Sequence, residues 1–310
     1  MKALVTGGAG FIGSHMVDRL LGEGYDVKVI DNLRCGTTKN VTQHIGSPRF
    51  EFVETDMTDQ AGVLDAVKGC HVVFHFAAQA TIQHSIDNHY GDLNENVYGM
   101  VNLLEAMNIH KVKNLVFSSS SAIYGAASVI PTPESYMPTQ TSLYGASKIS
   151  GEAFAQAFGE FSGTRTWAFR FANVVGERCR RGVIWNFVHK LLDNPKKLEI
   201  LGDGKQSKEY VHVSDVVEGM LKAYKSGPPQ SYNVGHPTQT TVDEVADTVI
   251  DEMGLTDVTK VHAGGKQGWT GDNPNCVLSI ERLKSLGWSP KVSSDEAIRR
   301  TARWTLENPA

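Results

Sequence analysis

Short apolar runs alternate with longer amphipathic segments through the first half of the chain. The runs are Lys2–Thr6, Val27–Asp31, Phe50–Glu54, Val72–Phe76, Asn114–Ser119 and Thr166–Phe171. They are too short for helices and too continuously apolar for strands wetted on one face. They read as strands of a parallel sheet covered on both sides. Between them, Ile12–Glu23, Leu93–His110 and Leu143–Phe161 carry helical spacing. Such alternation implies right-handed crossovers, and the expected fold class is α/β with a doubly wound parallel sheet.

After Phe171 the rhythm loosens. Glu177–Gly182 reads as a polar loop, Val183–Leu192 as a helix and Gly202-Asp203-Gly204 as a turn. Tyr210–Val213 and Ser231–Val234 read as short strands, and Val242–Met253 and Ile280–Leu286 as helices of a smaller C-terminal lobe. The expected organisation is a sheet domain over 1–175, completed by 209–236, and a second lobe over 176–208 and 237–310. A cleft is expected between them.

Composition narrows the class. Of 310 residues, 41% are hydrophobic and 21% charged, enough for a substantial core. Thirty Lys and Arg against 34 Asp and Glu leave a net charge of −4, which disfavours nucleic acid as a partner. No apolar run approaches the roughly 18 residues of a membrane span, so no membrane association is expected. The first run meets Gly7-Gly8 too early for a secretory leader. Cys35, Cys70, Cys179 and Cys276 are scattered and match neither a zinc site nor a disulfide framework. A reducing, cytoplasmic compartment is expected. The eleven histidines show no metal-ligand spacing, and no metal is expected; His75 reads as a core residue and His212 as a strand residue.

The first strand runs into Thr6-Gly7-Gly8-Ala9-Gly10-Phe11-Ile12-Gly13, which opens the first helix. Gly7, Gly10 and Gly13 suit three needs: a tight turn, backbone approach to a pyrophosphate, and close helix–strand packing. The helix start offers free N–H groups to that anion. The second strand ends in Asp31, 18 residues past Gly13. A carboxylate there accepts hydrogen bonds from adenosine ribose hydroxyls and repels a 2′-phosphate, favouring NAD over NADP. Arg34 is the opposing signal, since an arginine nearby binds such a phosphate. Asp56 has two readings, a contact to the adenine amino group or a helix N-cap ahead of Met57-Thr58-Asp59.

Tyr144-Gly145-Ala146-Ser147-Lys148 puts a phenol and an ammonium four apart on one helical face. A free tyrosine titrates near pH 10, too high for an efficient base at neutral pH. A close cation favours the phenolate, which can then exchange a proton with a substrate hydroxyl as a hydride moves to or from a nicotinamide. Upstream, the fifth strand ends in Ser118-Ser119-Ser120-Ser121-Ala122-Ile123-Tyr124-Gly125. Strand C-termini of an open parallel sheet face the ligand crevice, so these hydroxyls are delivered to the reacting carbon.

Together with Asp31-Asn32, Phe76-Ala77-Ala78, Asn96-Val97, Asn173–Gly176 and Tyr210–Val213, these motifs span most of the chain. The combination resembles the extended short-chain dehydrogenase/reductase family, and within it the NAD-dependent UDP-glucose/UDP-galactose 4-epimerases. The resemblance implies a Rossmann domain with a substrate-binding C-terminal lobe. It implies Tyr144 as acid/base, Lys148 as the residue that lowers its pKa and binds the ribose, and Ser120 as hydroxyl partner. Ser119 and Ser121 stay open as alternatives. NAD is the implied cofactor, held by Gly7, Gly10, Phe11, Ile12, Gly13, Asp31, Asn32, Asp56, Met57, Ala77, Ala78, Asn96, Ser118, Tyr144 and Lys148. The implied partner is a nucleotide sugar, first of all a UDP-hexose, bound by Ser120, Ser121, Tyr144, Asn173, Val183, Lys208, Asp272 and Cys276. A homodimer through Leu93–His110 and Leu143–Phe161 is also implied.

Neighbouring reactions differ by residue type. Dehydratases resembling this chain place Asp-Glu after the catalytic threonine, and decarboxylases place a glutamate two residues before the Tyr-Gly. Here Ser121-Ala122 stand there, which points to removal and return of hydride, the epimerase cycle. Lys208 replaces a frequent diphosphate-binding arginine, and Trp269 replaces a second one before Gly271-Asp272. Arg178, Arg180 and Arg181 read either as substitute charge or as a solvated loop. Cys276 reads either as room for an N-acetyl sugar or as a packing residue. The expected activity is 4-epimerisation. The alternatives are a UDP-glucuronate or UDP-N-acetylhexosamine epimerase, a net C4 oxidoreductase and, in another class, a non-catalytic NAD-binding sensor.

Overall fold

All six apolar runs of the first half form strands, with helices between them. In a computed structural model that describes residues 1–80, 82–265 and 275–309, the elements begin β1 (Lys2–Thr6), α1 (Phe11–Gly22), β2 (Asp26–Asp31), β3 (Phe50–Glu54), α2 (Gln60–Val67) and β4 (Val72–His75). There follow α3 (Ile82–Asp87), α4 (His89–Asp92), α5 (Gly99–Ile109), β5 (Asn114–Ser120), α6 (Leu143–Ser162) and β6 (Arg165–Phe171). The second half contains β7 (Asn173–Val175), α7 (Val183–Asp193), β8 (Lys197–Ile200), β9 (Ser207–Lys208), β10 (Tyr210–His212), α8 (Val213–Ser226) and β11 (Ser231–Val234). It closes with β12 (Thr240–Thr241), α9 (Val242–Glu252), β13 (Thr259–His262), β14 (Asn275–Cys276), α10 (Glu281–Ser285) and α11 (Ser294–Glu307).

The main sheet has seven strands in the order β11-β6-β5-β4-β1-β2-β3. β1 runs parallel to β2 and β4, β2 to β3, and β4 to β5. The order reverses between β1 and β4, so the ligand crevice of such a sheet opens at their C-terminal ends. Ala3, Leu4 and Val5 in β1 are each 0% exposed, as a strand covered on both faces requires. β3 departs from that expectation because it is the edge strand. Its Glu51 is exposed and pairs with Lys2 and Lys28. α2, α8 and α11 are helices that the runs and spacings above do not predict. The helix expected over 93–110 starts instead as a π-helical stretch, Leu93–Tyr98, before α5. No described helix is long and apolar enough to cross a membrane.

The chain forms two compact units, each with its own core. The first comprises Met1–Gly125, Met137–Arg170 and Met220–Tyr232. Its core includes Leu4, Val73, Met100, Leu103, Leu115 and Phe117. The second comprises Ala126–Tyr136, Phe171–Gly219 and Asn233–Ala310. There α7, α9 and α11 pack together and bury Phe187, Val188, Val245, Val249 and Ile298. After Arg170 the chain returns to the first unit at Met220–Tyr232. Ala126–Tyr136 joins the second unit through hydrogen bonds: Thr132 N donates to Val277 O at 2.7 Å, and Asn233 Nδ2 to Thr132 O at 2.9 Å.

Candidate active site

The glycine loop joins β1 to α1 at the expected end of the sheet. Gly7 sits at φ +67°, where a Cβ would lie 2.6 Å from Ala77 N; a Cβ on Gly13 would lie 2.1 Å from Gly7 O. Side chains are excluded where a pyrophosphate has to approach the backbone. Gly10 is the N-cap of α1, and no side-chain bond caps the helix that Phe11, Ile12 and Gly13 open. The cradle fits NAD.

Asp31 ends β2, 7% exposed, with Oδ2 accepting Ala9 N–H at 3.0 Å and Oδ1 accepting Leu33 N–H at 2.9 Å. Burial pushes its carboxyl pKa up, against the opposing pull of the Leu33, Ala9 and Gly10 N–H groups. Asn32 Nδ2 donates to Asp56 Oδ2 at 2.7 Å. Asp56 Oδ1 accepts Thr58 N–H at 2.8 Å and its hydroxyl at 2.7 Å. Partial burial works against the Asp56 carboxylate, but these bonds hold its pKa below the usual range. The N-cap of α2 is Asp59, which accepts Gly62 N–H at 3.1 Å, so the N-cap reading of Asp56 is corrected. Met57 beside it is buried. The Arg34 guanidinium is ion-paired with Glu95. Partial burial disfavours that cation, but Glu95 outweighs it and raises the Arg34 pKa.

Beyond β4, Ala77 N donates to Thr6 Oγ1 at 3.2 Å, and Ala77 and Ala78 are half-buried. Asn96, in the π-helical stretch, donates through Nδ2 to Gln79 O at 3.0 Å and Ser147 Oγ at 2.8 Å, and accepts Gln79 N–H at 2.8 Å. It ties the post-β4 loop to α6.

α6 begins at the N-cap Ser142, whose Oγ accepts Gly145 N–H at 3.0 Å. A Cβ at Gly145 would lie 2.7 Å from Ala122 O, so glycine there lets the helix start close on the end of β5. Tyr144 is half-buried on the first turn, and Lys148 is 4% exposed. Lys148 Nζ donates to Ser118 O at 2.9 Å and lies 5.8 Å from the Tyr144 ring centroid and 5.2 Å from that of Phe117. Ammonium and phenol are neighbours, as the four-residue spacing predicts. Ser120 is half-buried and caps the 3-10 turn Ser121–Tyr124, its Oγ accepting Ala122 N–H at 3.1 Å. Ser121 is also half-buried, whereas Ser119 is 3% exposed and donates to Glu152 at 2.5 Å. That leaves Ser120 and Ser121 as candidates for the hydroxyl partner. Behind them His75 is 1% exposed; burial, then the Lys148 charge, lowers its pKa to about 3.

The substrate candidates beyond Arg170 belong to the second unit. Asn173 pairs in register with Tyr210 and donates through Nδ2 to Glu209 O at 3.2 Å. Lys208 pairs with Cys276 across β9 and β14, although 68 positions separate them. The Cys276 side chain, like the whole of Trp269 and Asp272, lies outside the described residues. Val183 opens α7 and is half-buried. Arg180 stands over the rings of Trp185 and Trp304, at 5.8 and 5.3 Å, so the Arg178–Arg181 stretch is not a simple solvated loop. Among the described residues no cluster of His, Cys, Asp and Glu could hold a metal ion.

Sequence reasoning missed Glu152 and Arg170, whose buried ion pair is 2.7 Å long, and Glu95. Glu152 had a signal: it extends the Tyr144–Lys148 spacing by four more residues.

The chain is similar to known proteins in sequence and in fold. The pattern of the NAD dependent epimerase/dehydratase family matches residues 3–235. The UDP-glucose 4-epimerase of Mycolicibacterium smegmatis is 34% identical over 313 residues, 98% of either chain. The structure of the Thermotoga maritima UDP-glucose 4-epimerase with UDP-glucose superposes with a TM-score of 0.92 at 34% identity, covering 100% of both chains. A double mutant of the dTDP-glucose 4,6-dehydratase of Streptomyces venezuelae, with NAD bound, superposes at 0.90 and 30% identity, covering 99% of this chain and 98% of that one. Since the matched region carries the cradle and the tyrosine–lysine helix alike, and relatives align from end to end, the chain belongs to the NAD-dependent epimerase/dehydratase family.

Proposed function

We propose that the protein is a nucleotide-sugar 4-epimerase that interconverts UDP-glucose and UDP-galactose. One observation carries the reading. Lys148 adjoins Tyr144 beside a β5 end that reads Ser120-Ser121-Ala122, with no carboxylate to drive elimination. Bound NAD supplies a hydride acceptor, and afterwards a hydride donor, for one carbon of the sugar. The Tyr144 phenolate takes the proton of the C4 hydroxyl and later returns it. The Lys148 ammonium favours that phenolate, and the Ser120 hydroxyl hydrogen-bonds the same sugar oxygen. Asn173, Val183, Lys208, Asp272 and Cys276 are the proposed nucleotide-sugar contacts.

Likeness to a 4,6-dehydratase supports a second reading, but elimination needs acid and base groups where Ser121 and Ala122 stand. A homodimer is proposed from the exposed apolar residues Leu93, Tyr98 and Ile109 before and along α5, and Leu143, Phe154 and Phe161 along α6.

The test is incubation of the purified protein with UDP-, GDP-, CDP- and dTDP-sugars, without added cofactor, following C4 by NMR. Inversion of UDP-glucose and UDP-galactose is expected. Stoichiometric NADH would mark a net oxidoreductase instead, and a 4-keto-6-deoxy sugar would mark a dehydratase.

A further inference from the structure

Ser120 and the Tyr144–Lys148 pair are carried by different elements, β5 and α6. Their separation therefore depends on whatever joins those elements behind the reacting groups. Glu152 lies one helical repeat beyond Lys148, on the same face of α6. Its Oε1 accepts the Ser119 hydroxyl at 2.5 Å and Arg170 Nε at 3.0 Å. Its Oε2 accepts Arg170 Nη2 at 2.7 Å and the Ser231 hydroxyl at 3.3 Å. The remaining arm of the guanidinium, Nη1, donates to the Tyr124 hydroxyl at 2.8 Å. The two charged side chains are 7% and 9% exposed.

Ser119 directly precedes Ser120, and Tyr124 closes the turn that Ser120 caps. One buried ion pair thus grips the chain on both sides of Ser120 and fixes it to the helix that bears the phenol. We propose that Glu152 and Arg170 are positioning residues, which set the Ser120 hydroxyl against the Tyr144 phenol. The proposal rests on the assignment of those two groups to the reaction. A pair kept only for stability is replaceable: apolar residues of similar volume often substitute for buried ion pairs without loss. A pair that sets geometry is not, because a misplacement of about 1 Å can cost roughly 100-fold in rate.

The test uses the NAD-bound enzyme. The double variant Glu152→Leu/Arg170→Met should keep its NAD and melt near the wild type, while kcat falls about 100-fold and KM for UDP-glucose hardly moves. Glu152→Gln, which retains an acceptor for Ser119, should lose less. Phenol ionisation, followed by absorbance, should be unchanged, because Lys148 is untouched. Tyr144→Phe runs alongside. An inactive Tyr144→Phe with wild-type kcat in the double variant overturns the positioning role alone. An active Tyr144→Phe overturns the site assignment beneath it. Should the double variant lose its fold, Glu152→Gln decides, and unchanged kcat there overturns the proposal.

Discussion

The two units bury their polar groups to different ends. In the first, Glu152, Arg170, Asn96 and His75 lie behind the residues proposed for the reaction and brace sheet, loop and helix against one another. In the second, buried polar groups fasten loops one by one. Glu209 Oε1 accepts Leu278 N–H at 2.9 Å, and Asn233 Nδ2 donates to Thr132 O at 2.9 Å and to Ser279 O at 3.0 Å. A covered parallel sheet gives the first unit a rigid frame. The second rests on strand pairs only two to four residues long around a helical core. The contrast teaches where each property is stored. On the proposed assignment, reaction type belongs to the sheet frame and choice of sugar and nucleotide to short strands and stapled loops, which can change without disturbing the chemistry.

The largest expected effect is on the reaction side. Tyr144→Phe should lower kcat about 1,000-fold while NAD stays bound, checked by turnover and by nucleotide released on denaturation. A large rise in KM at unchanged kcat would break the division of labour.

Stability against pH should separate the units next. Burial pushes the Glu209 carboxyl up to about 8, against the pull of the Leu278 and His236 N–H groups; its ordinary value is 4.5. Between these values the unfolded chain has lost a proton that the fold retains, so stability falls as pH rises through that window. His75 is displaced the other way, from 6.5 to about 3, and its contribution is lost as pH falls through that range. Glu209→Gln should flatten the alkaline limb, and His75→Gln the acid limb, by an amount on the order of a few kcal/mol each. Melting temperatures across pH 4 to 9 check both. Coincident limbs in the two variants would mean that the units do not titrate separately.

Lys208→Met should raise KM for UDP-glucose about tenfold and spare kcat, since the proposed charge-assisted bond to phosphate would act in ground and transition state alike. Smallest is the cofactor edge. Glu95→Gln releases Arg34 and should improve NADP binding relative to NAD only about threefold, because an ion pair half open to solvent is weak. Titration of the NAD-stripped protein with both nucleotides measures it.

Much of the frame was legible because period is a local property. β1, α1, α6 and β11 fall where apolar spacing places them, and Gly7 and Gly13 mark a loop where side chains cannot fit. Other features were hidden by the same logic. Leu93–Tyr98 looks like ordinary helix, and its π winding accompanies tertiary bonds made by Asn96. In the serine run the residues are identical, so only alternation of strand faces, with Glu152 buried behind one of them, separates Ser119 from Ser120. Arg34 stands in the sequence as a reservation against NAD, and its ion-pair partner Glu95 lies 61 positions away.

The amino-acid order alone determined the strand–helix alternation, the turn glycines and the four-residue step from phenol to ammonium. Each depends on neighbours within a few residues, where backbone sterics and helical repeat leave little choice. Folding decided which hydroxyl stays turned from Glu152, that Glu152 clasps Arg170, and that Lys208 lies beside Cys276. Those pairings join residues distant in the chain, and only the packed sheet and its covering helices bring them within reach of a hydrogen bond.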